Sequence, residues 1–180
     1  MIKDEAVNAI VLEMKEGFKE NKDLFSETRD VFTARIQSYV LRTKKYLESA
    51  IIGEIGNNTF DHNFVFESNY PRGVYCNLSY GKYTVLADYG KGVRQSLLPV
   101  LPAIGSDLEA VEIAFTKMVS GRSPEQRGNG LKFVSESIRN NDWHLFFQSG
   151  TGSCSIDKSG ITFNEESIPI TGCLAILDIN

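Results

Sequence analysis

Helices early and strands late predict an α/β chain: a two-layer sandwich in which a mixed, mostly antiparallel sheet is covered by helices. Three observations carry this expectation. Ile36, Val40, Leu47, Ile51 and Ile55 repeat at intervals of four and seven, as a long buried helical stripe does. Two apolar runs, 73–78 and 83–88, flank the turn Tyr80-Gly81-Lys82. Trp143 to Gln148, Ser153 to Ile156, Ile161 to Phe163 and Cys173 to Ile179 read as later strands linked by hairpins.

Residues 4–20 open the chain with Val7, Ile10, Val11, Met14 and Phe18 on one helical face and Glu, Lys and Asn opposite. Such a helix either packs on its own domain or serves as a dimerisation or docking helix. The chain accordingly divides into an amphipathic extension over 1–25 and a main domain over 26–180. Ser26 is the expected N-cap of the next helical stretch, which runs to Asn63 with room for a break. Pro99 and Pro102 interrupt regular structure. Ser106-Asp107-Leu108-Glu109 has the form of a capping box, opening a helix to Met118. A further helix is expected from Gly130-Leu131 to Asn140.

Three motifs carry chemistry. In the first, Glu54, Asn58, Asp61 and His62 sit at i, i+4, i+7 and i+8, one face of a helix. A carboxylate and an amide one turn apart suit magnesium-nucleotide work: the amide oxygen completes an octahedral shell and the carboxylate accepts a proton. In the second, Asp88 ends an apolar strand and precedes Gly90 and Gly92. A carboxylate there can accept from an adenine amino group, while glycines let backbone approach the ring. In the third, Arg127-Gly128-Asn129-Gly130-Leu131 opens a helix. Free amides at a helix start bind anions, and Arg122 and Arg127 add charge-assisted bonds to phosphates. Each motif alone is ordinary, because solvated polar faces and glycine turns are common; their order and company are specific.

In that order the three motifs resemble the nucleotide site of the GHKL superfamily, which holds gyrase-type, heat-shock chaperone, histidine-kinase and mismatch-repair ATPases and the anti-sigma serine kinases. The resemblance covers residues 30 to 180 and implies a Bergerat-type ATP-binding fold. It implies Glu54 as general base, Asn58 as magnesium ligand, and ATP with Mg2+ as cofactors. It places Asp61, His62, Asp88, Gly90, Gly92, Arg122, Arg127, Gly128, Asn129, Gly130 and Leu131 around the nucleotide. Residues 93–127 resemble the ATP lid, with a helix at 106–118 that moves as a unit. Many relatives place Gly-Thr before the last strand; here Thr171-Gly172-Cys173 stands, so the hydroxyl near the adenine comes from Thr171 or is absent.

Gyrase-type, chaperone and mismatch-repair relatives carry a second domain that supplies a lysine, whereas only about fifty residues follow Leu131 here, enough to finish one domain. Histidine kinases need an acceptor histidine upstream, and none precedes His62. The expectation is therefore a stand-alone ATPase or protein serine kinase similar to the anti-sigma kinases, acting on a small regulatory protein partner, with a homodimer as a further possibility. The alternative is a nucleotide-dependent binding switch with little turnover.

Bulk properties agree. The 180 residues are 42% hydrophobic and 23% charged, as in globular domains. A net charge of -4 argues against nucleic acid or an anionic membrane as partner. No apolar run approaches the roughly 18 residues that span a bilayer, and the N-terminus lacks a secretory signal. Three cysteines without CxxC spacing and two histidines disfavour structural zinc and fit a reducing cytoplasm.

Overall fold

The computed structural model describes residues 2–63, 70–117 and 130–179. Helix α1 (Asp4–Lys15) is followed by a 3-10 turn (Lys19–Leu24) and a short strand β1 (Phe25–Ser26). Helices α2 (Arg29–Thr43) and α3 (Tyr46–Asn58) come next, and α3 runs into a π-helical turn (Thr59–Asn63). Strands β2 (Val74–Tyr80) and β3 (Tyr83–Asp88) form a hairpin, then helices α4 (Gly92–Leu97), α5 (Asp107–Thr116) and α6 (Gly130–Asn140) precede strands β4 (His144–Asp157) and β5 (Gly160–Asp178). The five strands pair antiparallel in the order β1-β2-β3-β5-β4. The predicted α/β class, a mostly antiparallel sheet covered by helices, is what is seen.

The period of two along each strand divides the core. On one face, Cys76, Leu86, Leu145, Phe147, Ala175 and Leu177 pack against Phe32, Ile51, Ile55, Val111, Phe115, Val134 and Ile138 of the helical layer. On the other, Tyr75, Val85, Ala87, Leu174 and Ile176 pack against Ile10, Val11 and Met14 of α1. Both faces of β3 are therefore buried along its whole length. The apolar stripe of α1 is spent inside the chain. This helix ends at Lys15 rather than near residue 20, because Gly17 (φ +84°) and Phe18 (φ 47°) turn left-handed. The amide of Gly17 donates to Met14 O at 2.8 Å and that of Phe18 to Glu13 O at 3.1 Å, which satisfies the last carbonyls. Phe18 then stacks on Tyr75 with ring centroids 3.8 Å apart.

Several sequence expectations are corrected. Ser26 is not an N-cap; it is buried in β1, and Thr28 caps α2 by accepting from Val31 N. The single long stripe is two helices. Lys44 at φ 61° ends α2 and resets the helical phase, so Leu47 is exposed and Glu48 is buried instead. There Glu48 accepts from Tyr39 Oη at 3.1 Å and pairs with Lys45 at 3.1 Å. Burial first, and then Glu48, push the Tyr39 phenol up to about 12. The late strands merge into one long hairpin, β4–β5, and a short helix, α4, precedes the stretch that Pro99 and Pro102 interrupt. The capping box is real but offset: Ser106 Oγ accepts from Glu109 N at 3.1 Å, while Glu109 Oε2 accepts from Gly105 N at 2.7 Å. The predicted end of that helix, Met118, lies outside the described residues.

The described part of the lid-like stretch includes α5. Helix α5 buries Val111 and Phe115 in the main core. Asp107, at its start, accepts from Thr151 N at 3.1 Å beside Gly150 and Gly152, where added β-carbons would meet Asp107 atoms at 2.0 and 2.4 Å. Core side chains and the glycine kink thus tie α5 to the body of the fold.

Candidate nucleotide site

The site lies on the helical face of the sheet, at the end of β3. Asp88 is buried there, opposite Cys173 of β5. Its Oδ2 accepts from the Thr59 hydroxyl at 3.0 Å and its Oδ1 from the Gly90 amide at 2.8 Å. A buried carboxylate needs such donors, since loss of hydration is otherwise costly. Between Ser149 and Gly150 the β4–β5 pairing slips from Cys173 to Ile170, so Thr171 and Gly172 bulge from β5. Gly172 adopts φ +81° within that bulge, where a β-carbon would lie 2.0 Å from Asp88 O and 2.7 Å from Asp88 Oδ1. Only glycine lets the bulge close on the aspartate.

The same bulge fixes the start of α4. Ser149 Oγ donates to Gly172 O at 3.1 Å and accepts from Val93 N at 2.9 Å. Gly92 adopts φ +79° with the Ser149 hydroxyl at its face. Ser96 Oγ lies 2.9 Å from His62 O and 2.8 Å from Gly92 O, which ties α4 to the π-helical turn.

The first and third motifs also meet. Glu54 is exposed on α3, and a β-carbon at Gly130 would meet its Oε2 at 2.5 Å. The carboxylate therefore stands against the first residue of α6, where backbone amides have no helical partner. Asn58, one turn further along α3, is half-buried, and Leu131 packs on the main core. Next to Asn58, the amide oxygen of Asn57 is buried without a partner among the described residues. Helix α3 and the turn that follows it thus join all three motifs, touching the second through Thr59 and the third through Glu54.

The expected single face of four polar residues does not survive the π-helical turn, which shifts the register after Asn58. Asp61 pairs with Arg29 at the start of α2, and Arg29 lies 6.0 Å from the Phe60 ring centroid. His62 is half-buried; burial first, then the charges of Lys91 and Arg29, hold its pKa below the ordinary 6.5. Arg122, Arg127, Gly128 and Asn129 lie outside the described residues. Thr171, the expected hydroxyl, is exposed. The hydroxyl at Asp88 is that of Thr59, which sequence reasoning missed; its position directly after Asn58 was the available signal.

The donor set suits a nucleotide with magnesium. Asp88 can accept from an amino group, Gly172 leaves room against it and Gly130 against Glu54, and the start of α6 has amides without helical partners. No three His, Cys, Asp or Glu side chains among the described residues come together as a metal cage. Magnesium characteristically takes one or two protein ligands and completes its shell with phosphates and waters, a pattern that Asn58 and Glu54 fit. Cys76 and Cys154 are buried, and burial pushes the Cys76 thiol up to about 12 and that of Cys154 further, so neither offers a thiolate. Among the described residues no helix is long and apolar enough to cross a membrane.

No protein-family model and no curated protein matches the chain. Among solved structures it is similar to the 43K ATPase domain of Thermus thermophilus gyrase B, solved in complex with an aminocoumarin. The identity is 16% and the TM-score 0.42, over 72% of this chain and 33% of that one. This chain spans a third of that protein's length, and a likeness so distant carries no weight for function.

Proposed function

We propose that this chain binds ATP with magnesium in the manner of the GHKL superfamily and turns it over, as an ATPase or a protein serine kinase acting on a small regulatory partner. The observation that carries the reading is the convergence at the carboxyl end of α3: Thr59, in the turn that follows it, holds Asp88, and Glu54, within it, meets the amino end of α6. Asp88 accepts from the adenine amino group, and Gly90, Gly92 and Gly172 admit the ring. Phosphates lie at the amides of Gly130 and Leu131, extended by Arg122, Arg127, Gly128 and Asn129. His62 and Asp61 border the site from the π-helical turn.

The carboxylate of Glu54 would repel a polyphosphate by itself, so a cation held by Asn58 is part of the proposal. Magnesium, when bound, neutralises phosphate charge and orients the terminal group. Glu54 Oε takes the proton of the attacking water or serine hydroxyl as its oxygen bonds to the γ-phosphorus and the bond to the bridging oxygen breaks. A homodimer is compatible with this reading.

Titration with ATP and magnesium tests it. Binding should raise the melting temperature, since a ligand specific to the folded state stabilises it by mass action. Asp88→Asn should lose affinity far more than Lys158→Ala, a control on the exposed β4–β5 turn. Glu54→Ala should keep binding but lose turnover about a hundredfold or more. Equal affinities for the first two variants would remove Asp88 from the site; full turnover by Glu54→Ala would leave a binding switch.

A further inference from the structure

We infer that the corner between α2 and α3 is a docking surface for another protein, one that presents an acidic segment carrying apolar side chains. The inference is independent of the nucleotide reading: Tyr46 opens α3 and Asn58 closes it, about 18 Å apart at 1.5 Å per residue. A folded chain ordinarily buries leucine and exposes glutamate. This corner does the reverse. Leu41, Tyr46 and Leu47 are 72%, 65% and 37% exposed, while Glu48 is 8% exposed. The inversion is built into the backbone. Lys44 turns left-handed at φ 61°, a conformation unfavourable for a residue with a β-carbon, and its amide donates to Val40 O at 2.8 Å. The corner is then held from inside. Tyr39 Oη donates to Glu48 Oε2 at 3.1 Å, Lys45 Nζ pairs with the same oxygen at 3.1 Å, and the Thr43 hydroxyl donates to Tyr39 O at 2.8 Å. A surface fixed before its partner arrives has less to order on docking.

Charge decides the occupant. From Val31 to Leu47 the chain carries Arg35, Arg42, Lys44 and Lys45 and no Asp or Glu, although its net charge is -4. Arg35 donates to Asp23 O and Lys45 pairs with Glu48, while Arg42 and Lys44 stand exposed with no ion pair among the described residues. A basic rim beside exposed leucine and tyrosine complements a segment with acidic and apolar side chains. A second copy fits poorly, because a two-fold contact at this corner would set Arg42 and Lys44 against their own like charges. An anionic membrane would attract the corner but repel the acidic remainder of the molecule.

The test titrates the full chain into two labelled synthetic amphipathic helices, each with leucine on one face and with either glutamate or lysine on the other, and reads peptide fluorescence anisotropy. The glutamate helix should bind saturably and more weakly as salt rises, and the lysine helix should not bind. Leu41→Ser combined with Tyr46→Ser should weaken the glutamate helix about tenfold or more, as loss of anchoring side chains does. Arg42→Glu combined with Lys44→Glu should cost at least as much, since the rim then repels the peptide. Melting temperatures should stay near wild type, because all four positions are outside the core. Should the serine pair fail to fold, the glutamate pair carries the same reading through charge.

A glutamate helix that does not saturate, or two helices that bind equally, overturns the inference. Binding that both variant pairs leave intact overturns it too, since the contact would then lie elsewhere. Sedimentation that shows a wild-type dimer made monomeric by Tyr46→Ser assigns the corner to a second copy. Flotation with phosphatidylserine vesicles that Lys44→Glu abolishes assigns it to a membrane; either result overturns the acidic partner. Wild type that binds the glutamate helix but not ATP would remove the nucleotide reading and leave this one standing.

Discussion

Gly172 and Gly53 respond to a β-carbon in opposite ways. At Gly172 the backbone is left-handed, and the added atom would lie 2.0 Å from the carbonyl of Asp88. Gly172→Ala should therefore cost about 1 to 3 kcal/mol or more from strain and weaken nucleotide binding by displacing Asp88. Gly53 lies inside α3 with nothing within 4 Å of an added β-carbon. Gly53→Ala should stabilise by about 0.5 to 1 kcal/mol through helix propensity. Denaturant unfolding of both variants is the check, and shifts of the same sign would contradict the backbone assignment at Gly172. His62 supplies a pH prediction. Its folded pKa is depressed, chiefly by burial, so on acidification the unfolded chain takes up the proton first. Its contribution is present above 6.5 and is lost as pH falls through that value towards the depressed folded one. Between about pH 7.5 and about pH 5.5, His62→Gln should lose less stability than wild type. A wild-type loss no larger than that of the variant would show that His62 does not titrate differently on folding.

Helix α1 acts at the next scale as a cover for the sheet. Its buried residues Ile10, Val11 and Met14 close over Tyr75, Val85, Ala87, Leu174 and Ile176. It also reaches the second motif: Tyr89, between Asp88 and Gly90, donates from its hydroxyl to Met14 O at 2.5 Å and stacks on Tyr70 with centroids 4.4 Å apart. Alternate residues of one motif thus serve opposite faces, Asp88 towards the helical layer and Tyr89 towards α1. Ile10 is 1% exposed and Leu12 57%. Ile10→Ala should cost about 2 to 5 kcal/mol, and Leu12→Ala no more than about 0.5 kcal/mol. Equilibrium unfolding measures both. Similar small effects would mean that α1 is not docked on the sheet in solution, and would revive its reading as a helix for a partner.

At the scale of the molecule, the question is which parts respond to nucleotide. Helix α5 belongs to the body, since Val111 and Phe115 share the core with Phe147 and Ile51. Phe115 meets the Phe147 ring edge-on at 5.2 Å, and Asp107 is seated on the Gly150–Gly152 kink. Opening α5 would uncover that core, so its amides should exchange only through large-scale opening. Hydrogen exchange over residues 107–116 should change little among apo, ADP and ATP samples, apart from the general stabilisation that ligand binding confers. Selective protection of α5 by ATP, beyond that of β3 and β5, would restore it to a moving lid.

The class of fold, most helix and strand positions, and the three motifs with Glu54, Asn58, Asp88 and Gly130 in them are legible in the order of residues alone. These are properties of spacing: apolar periods of two and 3.6, glycines at turns, and a Ser-x-x-Glu cap are written within a few residues. Tertiary structure decided the rest. The break at Lys44 uses a left-handed lysine, and the π-helical turn after Asn58 sends Asp61 to Arg29; neither leaves a compositional mark. The hydroxyl on Asp88 comes from Thr59, 29 residues away, and not from the bulge before the last strand. Whether α1 covers the sheet or a partner is equally silent in its apolar stripe, which is the same in either case. Local periodicity states that a face is to be buried; which surface buries it depends on contacts between residues far apart in the chain, and only the folded arrangement specifies those.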